Sequence, residues 1–80
     1  MKAKVYVTLK EGILDPQGKA IQHSLESMDF KEVIDVRQGK VFDVVIEDGA
    51  SREEAEERVR EMAEKLLANT VMENFRVEME

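Results

Sequence analysis

The chain has no cysteine and no tryptophan, and it has a single histidine and a single proline. Without cysteine it can form neither a disulfide nor a thiolate metal site, and one histidine does not make a transition-metal centre. No apolar run is long enough to span a bilayer, and the charged, alternating start of the chain does not resemble a signal peptide. These absences favour a cytoplasmic protein that holds no metal.

Phosphate-binding and catalytic patterns are missing as well. Gly12, Gly18 and Gly39 fit neither GxxxxGK[ST] nor GxGxxG, so no nucleotide or cofactor site is expected. His23 falls on the outer face of a predicted helix, where it is inert or contacts a partner. Most carboxylates lie beside basic residues on the exposed face of a second predicted helix. We therefore predict no catalytic, cofactor-binding or metal-binding residue.

The composition that remains is that of a small, acidic, globular protein. The 80 residues are 42% hydrophobic and 38% charged, with a net charge of −6, and they predict one domain spanning residues 1–80. A domain of this size buries only about 60% of its extended surface, so its stability is marginal and association would help it. The acidic balance argues against nucleic acid as a partner and favours proteins.

The first half of the chain alternates and then turns helical. Residues 4–10 place Val5, Val7 and Leu9 on one face, which predicts a strand. A helix is expected to begin at Pro16, with Asp15 as its N-cap, and to end near residue 29. Its apolar stripe consists of Ile21, Leu25 and Met28.

The middle of the chain predicts a hairpin. Residues 33–37, rich in β-branched side chains, are expected to form a second strand. A tight turn at Gly39, with positive φ, would join it to a third strand over residues 41–47. That third strand is apolar on both faces, so we expect it at the centre of the sheet.

Asp48-Gly49-Ala50 interrupts the pattern, and Ser51 and Glu54 have the spacing of a capping box. The second helix predicted from there has an apolar stripe consisting of Ala55, Val59, Met62 and Leu66, widened by Ala63 and Leu67. Asn69 is expected to end it in a left-handed cap, and residues 75–80 alternate as a last strand.

The predicted order βαββαβ corresponds to a ferredoxin-like α+β fold, with a four-stranded antiparallel sheet and both helices on one of its faces. The other face would carry a partly apolar patch consisting of Tyr6, Thr8, Val41, Val45 and one of Val33 and Ile34. We expect a second copy or another partner to cover this patch.

Three segments are typical of one family: LKEGILDPQGKAI (residues 9–21), VRQGK (36–40) and EKLLANTVMENF (64–75). Together, and in register along essentially the whole chain, they resemble the PurS family, the small subunits of three-component phosphoribosylformylglycinamidine (FGAM) synthase. The alternative left open by the residues alone is a dimeric regulatory domain that binds a small ligand such as an amino acid.

The resemblance implies a subunit of a ligase complex in purine biosynthesis, which converts formylglycinamide ribonucleotide, glutamine, ATP and water to FGAM, glutamate, ADP and phosphate. A glutaminase, PurQ, would release ammonia, and a synthetase, PurL, would use ATP and Mg²⁺. The small subunit would bind no cofactor, join the other two and assist ammonia transfer. It is expected to be a homodimer or a dimer of dimers.

The resemblance also carries motif positions onto this sequence. Capping and turns explain four of them, Asp15, Pro16, Gly39 and Asn69. The candidates for partner contact are Gln17, Gly18, Lys19, Arg37, Lys40 and Thr70. Arg37 is the strongest, because a guanidinium can hold a carboxylate at two points. Gly18, in the first helical turn, indicates that a surface of this chain or of a partner comes too close for a side chain.

Overall fold

An antiparallel sheet with a central first strand forms the body of the protein. The computed structural model describes residues 1–49 and 51–80. Strand β1 (Lys2–Leu9) lies between β2 (Gly39–Val45) and β3 (Glu73–Met79) and is antiparallel to both. Val5 lies opposite Phe42 on one side and Val77 on the other. The alternation predicted for the first and last strands is confirmed, and its apolar face is the inner face of the sheet.

One helix packs on this inner face. Helix α2 (Arg52–Met62) begins at Ser51, whose Oγ accepts a hydrogen bond from the Glu54 backbone N–H at 3.1 Å; Ala50, just before it, lies outside the described residues. Val59 is fully buried against Val5 and Val77. The helix covers the β1 and β3 half of the inner face and hardly reaches β2.

The end of α2 widens into a π-helical turn, Ala63–Leu67, closed by a hydrogen bond from the Ala68 N–H to the Ala63 carbonyl at 2.9 Å. A π turn contains an extra residue, which rotates the following side chains around the helix axis. Ala63, at the start of this turn, is completely buried, whereas Leu66 is 83% exposed. The prediction that Leu66 continues the buried stripe is wrong for this reason.

Helix α1 (Pro16–Ser27) has the predicted limits but not the predicted packing. Asp15 caps its start, and Asp29, with φ of 73°, reverses the chain just after its end. Within the described residues no strand or other helix packs along α1. Ile21 is 42% exposed and Met28 66% exposed. The expectation that both helices cover one face of the sheet is met only by α2.

The second predicted strand, residues 33–37, does not form. The chain passes through residues 33–38 without a turn and runs straight into β2, so the predicted hairpin is absent. Gly39 does not have a positive φ; it is the first residue of β2, where a Cβ would lie 2.7 Å from the Val7 carbonyl oxygen. A ladder needs a neighbouring strand, and residues 33–37 have none among the described residues.

Because that strand is missing, the described residues form a three-stranded sheet in place of the predicted four-stranded, ferredoxin-like one. β1 is its central strand, and β2 is an edge strand. The prediction that residues 41–47 form the central strand is therefore wrong for the isolated chain.

Helix α1 and the extended segment after it form an arm, defined as residues 16–38. The segment returns along the helix, where the Gln22 side-chain amide donates to the Ile34 carbonyl at 3.3 Å. The molecule measures 51 × 24 × 14 Å, with a radius of gyration of 16.1 Å, whereas a compact chain of this length has about 12 Å. The arm is therefore a projection from the body.

The outer face of the sheet is more polar than predicted. Lys4 Nζ lies 2.7 Å from Asp43 Oδ1, and the Arg76 guanidinium stacks 4.2 Å from the centre of the Tyr6 ring. Of the predicted patch, Val41 and Val45 on β2 are 52% and 74% exposed. That a second copy covers this face stays a prediction.

Alanine substitutions at Val59 and Leu66 should distinguish the buried side of this helical stretch from its exposed side. Val59→Ala removes two buried carbon groups and leaves a cavity, so we expect a loss of about 2 kcal/mol in the free energy of unfolding. Leu66→Ala should change it by less than about 0.5 kcal/mol, because that side chain is largely in solvent. Urea unfolding followed by circular dichroism measures both, and equal losses would contradict the rotation by the π turn.

Candidate functional site at one end of the sheet

The three segments that carry the family resemblance meet at one end of the sheet. β1 ends there, and β2 and β3 begin there: Thr8 pairs with Gly39, and Leu9 pairs with Glu73. The loop after β1, the approach to β2 and the turn before β3 are consequently neighbours in space, although they are distant in sequence. We call this region the motif end; it consists of residues 10–19, 36–40 and 68–74.

A buried carboxylate joins two of these segments. Asp15 is 4% exposed, and its Oδ1 accepts the Gly18 N–H at 2.8 Å while its Oδ2 accepts the Gln38 N–H at 2.6 Å. The first bond caps α1, and the second fixes the chain just before β2. Hydrogen bonds from the Gln38 and Gly18 amides hold the pKa of Asp15 below its usual range. We call these two bonds the clasp.

Gly18, which donates one bond of the clasp, packs closely against Val36 and Asp15. A Cβ at this position would overlap the Val36 carbonyl oxygen and lie 2.7 Å from Asp15 Oδ2. The close surface that the sequence indicated here is therefore a surface of this chain. Gly18 is also buried, the only residue of α1 that is.

The Arg37 guanidinium donates hydrogen bonds to its own chain. Its Nη1 donates to the Ile13 carbonyl at 3.0 Å, and its Nη2 donates to the Lys10 carbonyl at 3.1 Å. These bonds tie the loop after β1 to the segment before β2, in parallel with the clasp. The two-point grip expected of Arg37 exists, but its acceptors are backbone carbonyls of this protein, and contact with a partner stays a prediction.

Glu73, which the sequence did not single out, connects the third segment to the second. Its Oε1 accepts the Asn69 N–H at 2.7 Å, and its Oε2 lies 3.8 Å from Lys40 Nζ. The signal in the sequence is weak: it is an acidic residue four positions after an asparagine, at the start of a strand. The ion pair can be recognised only when the strand order is known.

Asn69 does not adopt the left-handed conformation that was predicted for it, since Asp29 is the one described residue other than glycine with positive φ. The helical stretch ends in an extended residue, Ala68. Asn69 instead forms a turn in which its Oδ1 accepts the Val71 N–H at 3.2 Å. Asn69 therefore stabilises the turn before β3, and the prediction of a left-handed cap is wrong.

The other candidates for partner contact are exposed at or near the motif end. Gln17 and Lys40 line the same open cavity, of about 210 Å³, with Gln38 and Glu73. Thr70 is exposed in the turn before β3. A sixth candidate, Lys19, lies where the motif end continues into the arm, and its Nζ is 3.7 Å from Asp35 Oδ1.

The rest of the described chain offers little reactive chemistry. Over residues 1–49 and 51–80 there is no group of three or more His, Asp or Glu side chains that could hold a metal ion. His23 is exposed on the arm. The same residues contain no helix with the length and apolarity needed to cross a membrane.

The fold and the motif end define a class of small α+β protein, in which an antiparallel sheet carries one packed helix and an arm is fixed to one end of the sheet. The family model described as PurS, phosphoribosylformylglycinamidine (FGAM) synthase, matches residues 2–80. The chain belongs to this family.

Known members are similar over nearly their whole length. The phosphoribosylformylglycinamidine synthase subunit PurS of Bacillus subtilis is 56% identical over 79 residues, which are 99% of this chain and 92% of that protein. A B. subtilis PurS structure superposes with a TM-score of 0.85 at 54% identity and covers 99% and 96% of the two chains. A chain of the PurLQS structure from Thermotoga maritima gives 0.87 at 30% identity, covering 96% and 93%.

Adding a methyl group at Gly18 should loosen the clasp. Gly18→Ala forces its Cβ into Val36 and Asp15, so we expect a loss of about 1–3 kcal/mol in the free energy of unfolding. Gln17→Ala, one position earlier in the same turn, should stay close to the unmodified protein. Urea unfolding of the two variants gives the comparison, and a Gly18→Ala protein of undiminished stability would show that the clasp is not strained by a side chain there.

Acid should weaken the clasp. The pKa of Asp15 is lower in the folded than in the unfolded chain, so its contribution to stability is present above the ordinary aspartate value of about 3.9 and is lost as the pH falls through the folded pKa. Asp15→Asn keeps one acceptor but turns an amide N–H toward the other donor, so it should be less stable at neutral pH. The difference in free energy of unfolding between the two proteins should decrease as urea unfolding is repeated at lower pH. A difference that does not change with pH would contradict the role of the charge.

Proposed function

We propose that this chain is the noncatalytic small subunit of an FGAM synthase complex and joins a synthetase, PurL, to a glutaminase, PurQ. The observation that carries this proposal is the 56% identity to the PurS subunit of B. subtilis across 99% of the chain. The similarity to a chain of the T. maritima PurLQS structure supports the two partners. The complex would form FGAM for purine biosynthesis in the cytoplasm.

In this proposal the bond-making chemistry belongs to the larger subunits. ATP and Mg²⁺ would be used by the synthetase, and glutamine would be hydrolysed by the glutaminase. The small subunit would hold the two in the orientation in which ammonia passes between them. Its lack of a metal-ligand cluster over residues 1–49 and 51–80 is compatible with that role.

The motif end is the surface that we assign to the larger subunits. Gln17, Lys40 and Thr70 are exposed there, and Gln17 and Lys40 face one cavity from different segments. The clasp and the Arg37 bonds hold these segments in position. A backbone that is already fixed has little conformational entropy left to lose on binding, which favours these segments as contacts.

A homodimer is the second part of the proposal. The arm exposes apolar side chains that the single chain does not cover, and an 80-residue domain has little stability to spare. A second copy is the partner of this chain in the absence of the larger subunits.

Reconstitution tests the assembly role. We expect the PurL and PurQ subunits of B. subtilis to form FGAM from glutamine only when a PurS subunit, or this chain in its place, is added. With ammonium salts in place of glutamine, PurL alone should form FGAM, because the small subunit contributes position and not chemistry. A glutamine-dependent rate that is unaffected by this chain would contradict the proposal.

Two exposed lysines provide a matched comparison in the same assay. Lys40, at the motif end, and Lys65, on the π turn, have side chains that are 52% and 77% exposed. Lys40→Ala should weaken binding to the larger subunits by about tenfold, as expected for a central contact. Lys65→Ala should leave it unchanged, and equal effects would move the docking surface away from the motif end.

A further inference from the structure

The motif end has a charged side chain on a face of the sheet that is otherwise apolar. Lys40 on β2 lies opposite Val7 on β1, and residues opposite each other in paired strands point to the same side of a sheet. The Lys40 side chain therefore lies on the inner face, in one row with Phe42 and Val44, and it is 52% exposed. A lysine ammonium adds nothing to an apolar core, so the core gives no reason for a lysine at this position.

Lys40 is held only loosely by its own chain. Its Nζ lies 3.8 Å from Glu73 Oε2 and 5.6 Å from the centre of the Phe42 ring. A hydrogen bond between an ammonium and a carboxylate is about 2.7–2.9 Å long, so the contact with Glu73 is an ion pair without a hydrogen bond. Glu73 is the one ion-pair partner of Lys40 among the described residues. The ammonium, which has three N–H donors, can therefore bind a further acceptor.

The carboxylates around the same cavity are already engaged by backbone amides. Both oxygens of Asp15 accept an N–H group in the clasp. Glu73 Oε1 accepts a backbone N–H at 2.7 Å, which leaves Oε2, the oxygen near Lys40. Gln17 and Gln38 also line the cavity, and each has a side-chain NH₂ group that can donate. The donors that remain at the cavity suit an anion.

The size of the cavity suits a side chain better than a whole metabolite. Its volume is about 210 Å³, whereas pockets that enclose a small-molecule ligand measure about 300–1,000 Å³. Val7 and Leu9 supply apolar lining, against which the methylene groups of a side chain can pack. The clasp and the Arg37 bonds fix the segments around the cavity, so it is formed before a partner binds.

We infer that this cavity receives an aspartate or glutamate side chain of a larger FGAM synthase subunit, and that the incoming carboxylate binds the Lys40 ammonium. The inference rests on the docking proposed for the motif end and specifies the chemistry of one contact. Glu73 competes with the incoming carboxylate for Lys40. When the partner replaces it as the nearest anion, Glu73 still holds the turn before β3 through its bond to the Asn69 N–H.

Substitutions of Lys40 and Glu73 should have opposite effects on docking. The measurement is the concentration of this chain that gives half-maximal glutamine-dependent FGAM formation with the B. subtilis PurL and PurQ subunits. Lys40→Met keeps the apolar stem and removes the charge, so this concentration should rise by about tenfold. Glu73→Gln keeps an acceptor for the Asn69 N–H and removes the competing charge, so it should fall by about twofold to fivefold. A cationic partner group would reverse both effects and overturn the inference.

Two further variants and a stability measurement separate docking from folding. Lys40→Arg keeps the charge and should dock nearly as well as the unmodified chain. Lys65→Met removes an equally exposed charge from the π turn and should have no effect on docking. Urea unfolding of every variant should give a midpoint close to that of the unmodified chain. If Lys40→Met and Glu73→Gln weaken docking equally, the ion pair is only structural and the inference is wrong.

Salt provides a measurement that does not depend on Glu73. An ion pair at a partly exposed site is screened as the ionic strength rises. The difference in half-maximal concentration between the unmodified chain and Lys40→Met should therefore decrease between about 0.01 M and 1 M NaCl, over which the screening length falls about tenfold. A difference that is independent of salt would show that Lys40 does not bind an anion of the partner.

Free glutamate tests the other source of a carboxylate. Isothermal titration of this chain alone with glutamate or glutamine should show no binding. Binding that Lys40→Met abolishes would assign the cavity to a small molecule and exclude the partner side chain. A glutamine-dependent rate that does not respond to this chain at all would remove the proposed function as well, whereas normal assembly with the wrong effects of Lys40→Met and Glu73→Gln would remove this inference alone.

Discussion

The architecture depends on the hydrogen bonds accepted by one group, the carboxylate of Asp15. It is buried and has two backbone donors, one three residues and the other twenty-three residues further along the chain. A buried charge without hydrogen bonds would be strongly unfavourable, so the folded chain must keep the Gly18 and Gln38 N–H groups within hydrogen-bond distance of it. They fix the direction in which α1 leaves the sheet and the point at which the chain enters β2. The arm is a projection with a defined direction for this reason.

The part of the fold that could be predicted from the sequence is the part that local interactions determine. Asp15 and Pro16 predict the start of α1 because the cap involves residues three positions apart. The alternation of Val5 and Val7 predicts β1 because one face of a strand is buried. Segment 33–37 shows where this reasoning stops: its composition is that of a strand, but a strand exists only with a neighbour. The π turn shows another limit, since one extra residue in a turn changed the side of the helix on which Leu66 lies.

The sequence predicted most residues of the candidate site, but not that their three segments meet at one end of the sheet. Asp15, Gly39 and Asn69 each had a local explanation, and the structure replaces the one for Gly39 by a close approach to Val7 and the one for Asn69 by a different turn. Gly18 pointed to a close surface, but nothing local could identify it as Val36. The convergence of three segments depends on the order of the strands. Glu73 contacts Asn69 in one segment and Lys40 in another, and it could not be identified before that order was known.

The open shape of the single chain follows from the same constraint and has a consequence for stability. Even a compact 80-residue domain buries a smaller share of its surface than a larger domain does, and this chain holds about a third of its residues in an arm that adds little to the core. The clasp lowers the freedom of the arm before any partner arrives, so less conformational entropy is lost when the arm is bound. A free, flexible arm with the same apolar stripe would associate less tightly and less selectively. The rigidity that the clasp provides at the motif end and the exposure of the arm beyond it are therefore two results of one buried carboxylate, and both suit a protein that works through the surfaces it presents to other chains.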